Sequence, residues 1–540
     1  MTMASNSSSS SSSRHVPRLN IVMQFVGTRG DIQPLIAYGQ MLQNFGHRVR
    51  FATHNEHRAL VTNNDLKFFP LGGDSQKLMK YMVTCGGIYP TIGAVLNGAI
   101  GENNEAISEI LKSTWASCID PDEVTNDGFF ADAIIANPPS FGHIHCAEKL
   151  RIPLHIVFTM PWSETINFSH PLARSAYRVE ESPRRRAESY QSVERFMWTG
   201  SHRIVNDFRK NILGLLPLSS EQALRMMDDV PHTYCWSPSL VPKPNDWGPN
   251  IDVCGFFFLY DKTDYPVPRS LMDFLDSGDP PLYIGFGSIS GHDERKLFRT
   301  IIRALNITGK RAVVSDKLIA PDTEVPENIH PCGNCPHDWL FQYVSGVCHH
   351  GGAGTTATGL RAGLPTIIVP FFGDQYFWSD IVEKAGAGPP ALSARSLHTR
   401  HLVDAINFIS DANVKARAQE ISRKMRDEHG CEAAMRSFHQ QLPLDAMQSD
   451  LEETYPACYR IPKYGLKVSW PVAQILLGVE SVFLDDLLPC ATCEWNPAKS
   501  FNLSIPPLYR TPDRVLPYTE DQRKKIIAAF SDVINKVPQK

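Results

Sequence analysis

The sequence has no apolar run of the ~18 residues that a membrane-spanning helix requires. It also has little excess charge of either sign, since 53 Lys and Arg residues nearly balance 57 Asp and Glu residues. This balance offers no general attraction for nucleic acid or for an anionic surface. The serine-rich segment 1–13 has neither a basic start nor an apolar core, so it does not read as a secretory signal and is expected to be disordered.

Cysteines are few and scattered, with twelve in 540 residues. This spacing is typical of reduced thiols and favours a cytoplasmic location. Two C-x-x-C pairs, Cys332 with Cys335 and Cys490 with Cys493, resemble the halves of a zinc site. The two pairs are much farther apart along the chain than in short-spaced zinc motifs, so we expect no metal and no resident cofactor.

Two common nucleotide-binding motifs are absent as well. No G-x-G-x-x-G opens the first predicted strand–loop–helix unit, and G-x-x-x-x-G-K-[ST] does not occur. These absences disfavour a dinucleotide-dependent oxidoreductase and a P-loop phosphotransferase.

What is present is a repeated alternation of strands and helices. Residues 19–26 form a short apolar run, residues 34–45 have helical spacing of apolar side chains, and residues 49–53 read as a second strand. Further strands are predicted at 133–136 and 155–159, after a mainly helical region at 76–115. The pattern predicts a parallel sheet of the doubly wound kind.

A stretch rich in Pro and Trp at residues 238–255 separates the chain into two halves. The second half resumes the alternation, with strands predicted at 282–286, 311–315, 346–349 and 366–370 and helices at 296–305 and 354–362. We therefore predict an α/β architecture in which two doubly wound, Rossmann-like domains face each other across a cleft. The predicted units are a disordered tail (1–17), a first domain (18–245), a second domain (246–441) and a C-terminal extension (442–540).

The extension lacks the strand–helix alternation and contains an apolar patch at residues 468–488. We expect this patch to pack against the two domains, because apolar stripes usually form core. A peripheral membrane contact is the alternative.

Two glycine-rich loops of the second half each follow a predicted strand and precede a helix. They are H-H-G-G-A-G-T-T at residues 349–356 and G-F-G-S at residues 285–288. Glycine lets the backbone approach a ligand closely, and the free N–H groups at the start of a helix attract an anion. The pair predicts a cradle for a diphosphate, with a glycine-rich turn and a capping threonine as the alternative for the first loop.

An acidic residue occupies the corresponding position in the first half. The sequence G-T-R-G-D at residues 27–31 joins the first predicted strand to the first helix. Ligands bind beyond the carboxyl ends of the strands in open parallel sheets, so Asp31 is predicted to face the cleft. An aspartate there is either a catalytic carboxylate or a helix N-cap.

Several segments, taken in order, closely resemble the sterol 3β-glucosyltransferases of fungi and plants. They include G-T-R-G-D-I-Q-P-L-I-A-Y-G-Q-M-L, A-N-P-P-S-F-G-H-I-H-C-A-E, H-H-G-G-A-G-T-T-A-T-G-L-R-A-G-L-P-T and P-F-F-G-D-Q-Y-F-W. The resemblance runs from about residue 19 to the region of residue 438. It implies the two-domain GT-B fold of that family, here without the N-terminal lipid-binding modules of its larger fungal members.

The resemblance also implies roles for individual residues. Asp31 matches the family's catalytic base, in a first domain that binds the acceptor. The second domain would hold a UDP-sugar: His350, Gly352, Gly354 and Thr355 with Gly287 and Ser288 at the diphosphate, Asp374 and Gln375 at the sugar hydroxyls, and Asn334, Cys335 and His337 with Trp339 around the uracil.

An apolar pocket for the acceptor is predicted from first-domain aromatics and their neighbours. The candidates are Phe141, His143, Met160, Trp162 and Trp198. Packing in the core is the alternative for each of them.

The expected activity is that of an inverting glycosyltransferase without a metal ion. A carboxylate deprotonates an alcohol while fixed N–H donors stabilise the departing UDP. Glucose transfer from UDP-glucose to a sterol or similar lipophilic alcohol would give a β-glycoside. The alternatives are a terpenoid, polyketide or lipid acceptor of secondary metabolism and, more remotely, a non-catalytic protein that binds nucleotide sugars or lipids.

Overall fold

A computed structural model describes residues 15–74, 99–173, 182–259, 265–287, 294–319, 323–333, 335–493 and 517–536. Several predictions concern residues outside these ranges. They are the tail up to residue 14, the first part of the helical region up to residue 98, and the donor-site candidates Ser288 and Asn334.

The first domain is built on a seven-stranded parallel sheet with the order β3-β2-β1-β4-β5-β6-β7. Its strands are β1 (Asn20–Gln24), β2 (Arg48–His54), β3 (Lys67–Leu71), β4 (Ala133–Ala136), β5 (Leu154–Phe158), β6 (His232–Tyr234) and β7 (Ile251–Val253). Its helices are α1 (Arg29–Phe45), α2 (Arg58–Thr62), α3 (Ala99–Ile119), α4 (His143–Leu150), α5 (Pro183–Phe208) and α6 (Ser220–Arg225). Because β7 pairs in parallel with β6, this sheet continues past the predicted boundary at residue 245.

The second domain contains a five-stranded parallel sheet with the order β10-β9-β8-β11-β12. Its strands are β8 (Leu282–Gly285), β9 (Ala312–Ser315), β10 (Ile329–Cys332), β11 (Gly346–His349) and β12 (Thr366–Ile368). Its helices are α7 (Arg269–Asp276), α8 (Glu294–Thr308), α9 (His337–Leu340), α10 (Ala353–Arg361), α11 (Gln375–Lys384), α12 (Thr399–Ser410), α13 (Ala412–Arg426) and α14 (Gly430–Gln440). The prediction of two doubly wound α/β domains is confirmed.

Helix α1 begins and ends where local chemistry requires it to. Thr28 caps its N-terminus, and Gly46 ends it with a φ of 118°, a left-handed conformation that favours glycine. Between these ends, Ile32, Leu35 and Ile36 recur at helical spacing and are buried against the sheet. The same helix therefore anchors the domain and presents its first turn at the carboxyl end of β1.

The two domains share packed side chains. The Trp236 ring of the first domain and the Trp378 ring of the second are edge to face with centroids 6.4 Å apart, and those of Phe168 and Phe377 are 5.3 Å apart. Helix α14 returns to the first domain, where Phe438 joins the core beneath α1. These contacts fix the relative position of the two sheets.

The extension folds into a third, antiparallel sheet with the order β14-β13-β15. Its elements are α15 (Leu444–Met447), β13 (Ala457–Ile461), β14 (Leu466–Ser469), α16 (Trp470–Gly478), β15 (Leu488–Pro489) and α17 (Glu520–Lys536). Ile475, Leu476 and Val482 of the predicted apolar patch are buried in the extension's own core and not, as predicted, against the two α/β domains. The other part of the patch is exposed, most of all Phe483 at 66%.

Candidate active site

Asp31 lies in the first turn of α1, beyond the carboxyl end of β1. Its Oδ2 accepts hydrogen bonds from the backbone N–H and the hydroxyl of Thr28, at 2.8 and 2.9 Å. Thr28 is therefore the N-cap and Asp31 closes the capping box, so the alternative that Asp31 is the N-cap itself is wrong. Oδ1 has no hydrogen-bond partner among the described residues, which leaves it available to take a proton.

Burial raises the pKa of the Asp31 carboxyl above its ordinary value, against the opposing effects of the Thr28 hydrogen bonds and of His57. A raised pKa suits a general base that removes a proton from an alcohol. The His57 ring supports the same loop, because its Nε2 lies 3.1 Å from the carbonyl oxygen of Gly27. Sequence reasoning missed His57, which belongs to no motif, whereas the T-x-x-D spacing of Thr28 and Asp31 is a readable capping signal.

The first glycine-rich loop of the second domain connects β11 to α10 around the ring of His350. A Cβ atom at Gly352 would lie 2.5 Å from His350 Nε2, and one at Gly287 would lie 3.0 Å from His350 Cε1. Glycine at both positions therefore makes room for the imidazole. Burial, with a smaller effect of His337, lowers the pKa of His350 to about 4, so the ring is neutral at pH 7. Its Nδ1 is buried without a hydrogen-bond partner in the described structure.

Helix α10 presents an open N-terminus next to this ring. The hydroxyl of Thr356 donates to the carbonyl oxygen of Gly352 at 2.9 Å and is fully buried, so it stabilises the first turn. Thr355 is half-buried and makes no hydrogen bond to another described side chain or to the backbone through its hydroxyl. The backbone N–H groups of the first turn have no acceptor within a helix, so the loop and the helix together form a site for an anion.

The two helix N-termini meet across the cleft. A Cβ atom at Gly354 would lie 3.4 Å from the carbonyl oxygen of Gly30, the residue before Asp31. The loop of the predicted base and the predicted diphosphate loop at Gly354 are therefore neighbours, although Asp31 and Gly354 are 323 positions apart in the sequence.

Asp374 is the second carboxyl group at the cleft. Its Oδ2 accepts a hydrogen bond of 2.9 Å from the indole N–H of Trp378. Burial, and next the charge of Asp31, raise the pKa of Asp374 to about 7. The charge of Asp31 therefore acts on Asp374 from the opposite domain, which is consistent with a polar site between them.

Gln375 is placed differently from its partner in the predicted pair. Its side chain is buried, and its Oε1 accepts hydrogen bonds from the backbone N–H groups of Phe371 (2.7 Å) and Phe372 (3.2 Å). The amide oxygen therefore holds the loop that carries Asp374.

The remaining donor candidates line the side of the second sheet next to His350. His337 lies 2.9 Å from the Tyr283 hydroxyl and stacks on Phe341, with ring centroids 4.8 Å apart. Burial lowers the pKa of His337 to about 4. Cys335 is half-buried nearby, and Trp339 packs against Tyr265 at 5.6 Å. The rings packed around His337 and Trp339 are aromatic, which suits a nucleobase.

A pocket of about 770 Å³, including its open mouth, lies in the first domain. Four of the acceptor candidates line it together: Phe141, His143, Trp162 and Trp198. Met160 is not among its lining residues and packs instead in the aromatic cluster that joins the domains. The pocket begins at Pro138, next to Asn137, whose side chain makes two hydrogen bonds with the backbone of Val26 at the base of the Asp31 loop.

Within the described ranges, no cluster of three or more His, Cys, Asp and Glu side chains is arranged to hold a metal ion. The two C-x-x-C pairs lie in different sheets, with Cys332 in β10 and Cys490 next to β15. All eleven cysteines that the structure describes are free thiols. In the same part of the chain, no helix is both long and apolar enough to cross a bilayer.

Comparison with known proteins agrees with this geometry. Residues 21–167 match the Glycosyltransferase family 28 N-terminal domain, and residues 311–436 match the Erythromycin biosynthesis protein CIII-like C-terminal domain. Among solved structures, the glycotransferase of kitacinnamycin is similar with a TM-score of 0.57 and 17% identity, over 79% of this chain and 100% of that one. The fold and the site define a glycosyltransferase with the GT-B fold.

Two curated relatives from Arabidopsis thaliana, both sterol 3-beta-glucosyltransferases, are more similar in sequence. One is 42% identical over 80% of this chain and 69% of its own length, and the other is 43% identical over 80% and 67%. The chain belongs to the sterol 3-beta-glucosyltransferase family.

Proposed function

We propose that this glycosyltransferase moves glucose from UDP-glucose to the hydroxyl group of a sterol, with inversion at the anomeric carbon. The observation that supports the proposal is the closeness of the loop before Asp31 to the start of α10, since a Cβ atom at Gly354 would lie 3.4 Å from the carbonyl oxygen of Gly30. The names of the Arabidopsis relatives support the choice of sugar and acceptor.

The reaction is a single displacement. The acceptor oxygen attacks the anomeric carbon of the sugar while Asp31 Oδ1 takes its proton, and the bond from that carbon to the diphosphate oxygen breaks. The N–H groups at the start of α10, with Thr355 and neutral His350, stabilise the charge that develops on UDP. An α-linked donor therefore gives a β-glycoside.

Asp374 is proposed to position the glucose. Its Oδ2 is held by Trp378, which leaves the other carboxyl oxygen for a sugar hydroxyl. A pKa of about 7 means that both the carboxylate and the acid are present near neutral pH, so the group can accept or donate a hydrogen bond. Gln375 acts on the sugar indirectly, through the loop that it holds.

The first-domain pocket is proposed to receive the apolar part of the acceptor. Trp162 and Trp198 supply aromatic walls, and Met197 and Met227 supply flexible apolar ones. A rigid fused-ring alcohol fits such walls because it buries apolar surface without losing internal freedom.

The direct test is transfer of labelled glucose from UDP-glucose to a panel of sterols, terpenoid alcohols and polyketide phenols. We expect β-glucosides of the sterols, identified by mass spectrometry and by the coupling constant of the anomeric proton. Transfer to the other acceptors alone would reject the sterol assignment. An α-linked product would reject the single displacement.

We also propose that the protein acts in the cytoplasm and touches membranes through its extension. The free thiols support a reducing compartment. Val479, Phe483, Leu484 and Leu488 are 44% to 66% exposed, and such side chains bury surface at the boundary of headgroups and acyl chains.

A vesicle flotation assay tests the membrane contact. With phosphatidylcholine vesicles that contain sterol, Phe483→Ser should reduce binding several-fold. Ile307→Ser is the matched control, because Ile307 is also 66% exposed but lies on α8 of the second domain. Equal binding of the wild type and both variants would contradict the proposed contact.

A further inference from the structure

Helix α5 turns one stripe of side chains toward the first-domain pocket. Glu194, Met197, Trp198, Ser201 and Val205 line the pocket at helical spacing. Glu194 is the only one of the five that carries a charge. An acid among these mainly apolar side chains needs a reason, because an unpaired carboxylate is costly in apolar surroundings.

Three other polar side chains of the pocket wall already have hydrogen-bond partners. The Trp198 indole N–H donates to the Ser220 hydroxyl at 3.1 Å, and the Ser201 hydroxyl donates to the carbonyl oxygen of Met197 at 2.8 Å. His145 Nδ1 lies 3.0 Å from a guanidinium nitrogen of Arg209. None of these groups is free to bind a polar ligand atom strongly.

Glu194 differs from them. Its carboxyl group makes no hydrogen bond and no ion pair within the described part of the chain. Burial, followed by the charges of Asp228 and Glu164, raises its pKa to about 7. His143, also on the pocket wall, has a buried Nε2 without a partner in the described structure. The pocket thus presents polar atoms with unused hydrogen-bonding capacity.

This inference rests on the proposed function. We propose that Glu194 accepts a hydrogen bond from a second donor group of the acceptor, remote from the hydroxyl that is glucosylated. The preferred acceptors are therefore sterol-class alcohols that carry a further hydroxyl or a protonated amine. Pockets that hold a partner for one polar group discriminate strongly against analogues that lack it, because the partner is then left buried and unpaired.

The test compares three acceptors on one ring system: a 3β-monohydroxy sterol, the same sterol with a second hydroxyl, and its amino analogue. We expect the wild type to favour the dihydroxy sterol over the monohydroxy sterol by about 10- to 100-fold in kcat/KM. Glu194→Leu should remove this preference and improve the monohydroxy sterol. Glu194→Gln should keep part of the preference for the hydroxyl but lose that for the amine, because a neutral amide accepts a hydrogen bond without attracting a cation.

Glu188→Gln is the matched control. Glu188 lies on the exposed side of the same helix, 2.6 Å from Arg184, and its replacement should leave all three kcat/KM values unchanged. Thermal unfolding of each variant shows whether it is folded. If Glu194→Leu is unfolded, the isosteric Glu194→Gln still tests the prediction that the preference for the amino analogue is lost.

Two outcomes overturn the inference in distinguishable ways. Sterol turnover with the same acceptor ratio in the wild type and in both Glu194 variants overturns the role of Glu194 alone. A wild-type protein that binds UDP but glucosylates no sterol overturns the proposed function, and this inference with it.

Discussion

Gly27→Ala is expected to lower kcat about 100-fold while leaving donor binding intact. A methyl group at Gly27 would lie 2.7 Å from Asp31 Cβ and 2.8 Å from Oδ2, whereas ordinary contact begins at 3.4 Å. The Asp31 side chain must therefore move by roughly 0.7 Å, or the loop must move with it. A misplacement of about 1 Å at a reacting group costs on the order of 100-fold in rate.

Gly30→Ala is the control within the same loop. The nearest atom to a Cβ at Gly30 is the Thr28 hydroxyl oxygen at 3.8 Å, so the methyl group makes only an ordinary van der Waals contact. We expect kcat within about twofold of the wild type, since alanine also favours the helix that begins there. The two variants thus add a methyl group at positions three residues apart, and only the one at Gly27 collides with Asp31.

The assay measures kcat with saturating UDP-glucose and a sterol, and the dissociation constant of UDP by calorimetry. The UDP affinity should stay unchanged in both variants, because the donor site is built from the second domain. The reasoning is refuted if Gly27→Ala keeps its kcat, or if Gly30→Ala loses as much as Gly27→Ala.

Two further predictions concern stability. Arg209 and Glu148 form a buried, bidentate ion pair with N–O distances of 2.6 and 3.2 Å, so Arg209→Met should lower the free energy of unfolding by about 3 to 5 kcal/mol. Arg225 belongs to an exposed ion pair, and Arg225→Met should change the free energy of unfolding by less than about 1 kcal/mol. Equal urea midpoints for the two variants would contradict this prediction. His47 and His439 lie 2.9 Å apart, and burial lowers their pKa values to about 3 and about 4. Their contribution to stability is present above pH 6.5 and is lost as the pH falls toward 4, because the unfolded chain then binds the protons. His439→Gln should reduce the difference between the free energies of unfolding measured in urea at pH 7.5 and at pH 5. The same difference in the wild type and the variant would contradict this prediction.

Much of the fold could be predicted because its signals are local. The centre of the buried strand β1 is an apolar run from Ile21 to Met23, and Gly46 marks a helix end through its left-handed conformation. The extension was harder to predict. Its short strands pair in an antiparallel sheet, for example at Arg460 and Lys467, and no periodicity in the sequence predicts this register.

The site divides in the same way. Asp31, His350 and Gly354 stand in glycine-rich loops that the sequence displays, and the structure brings them together. His57 could not be found from the sequence, because it acts on Gly27, which lies 30 positions away along the chain. Glu194 could not be found either, because the pocket that it lines exists only in the packed fold. Met160 was predicted from the sequence to line the acceptor pocket, but its side chain packs in the core instead.

The central claim is that Asp31 is the base that activates the acceptor, opposite a donor site that works without it. The most direct measurement is the turnover of Asp31→Asn together with its affinity for UDP. We expect kcat to fall about 100- to 10,000-fold while the dissociation constant of UDP stays within about twofold. Turnover equal to that of the wild type would contradict the claim.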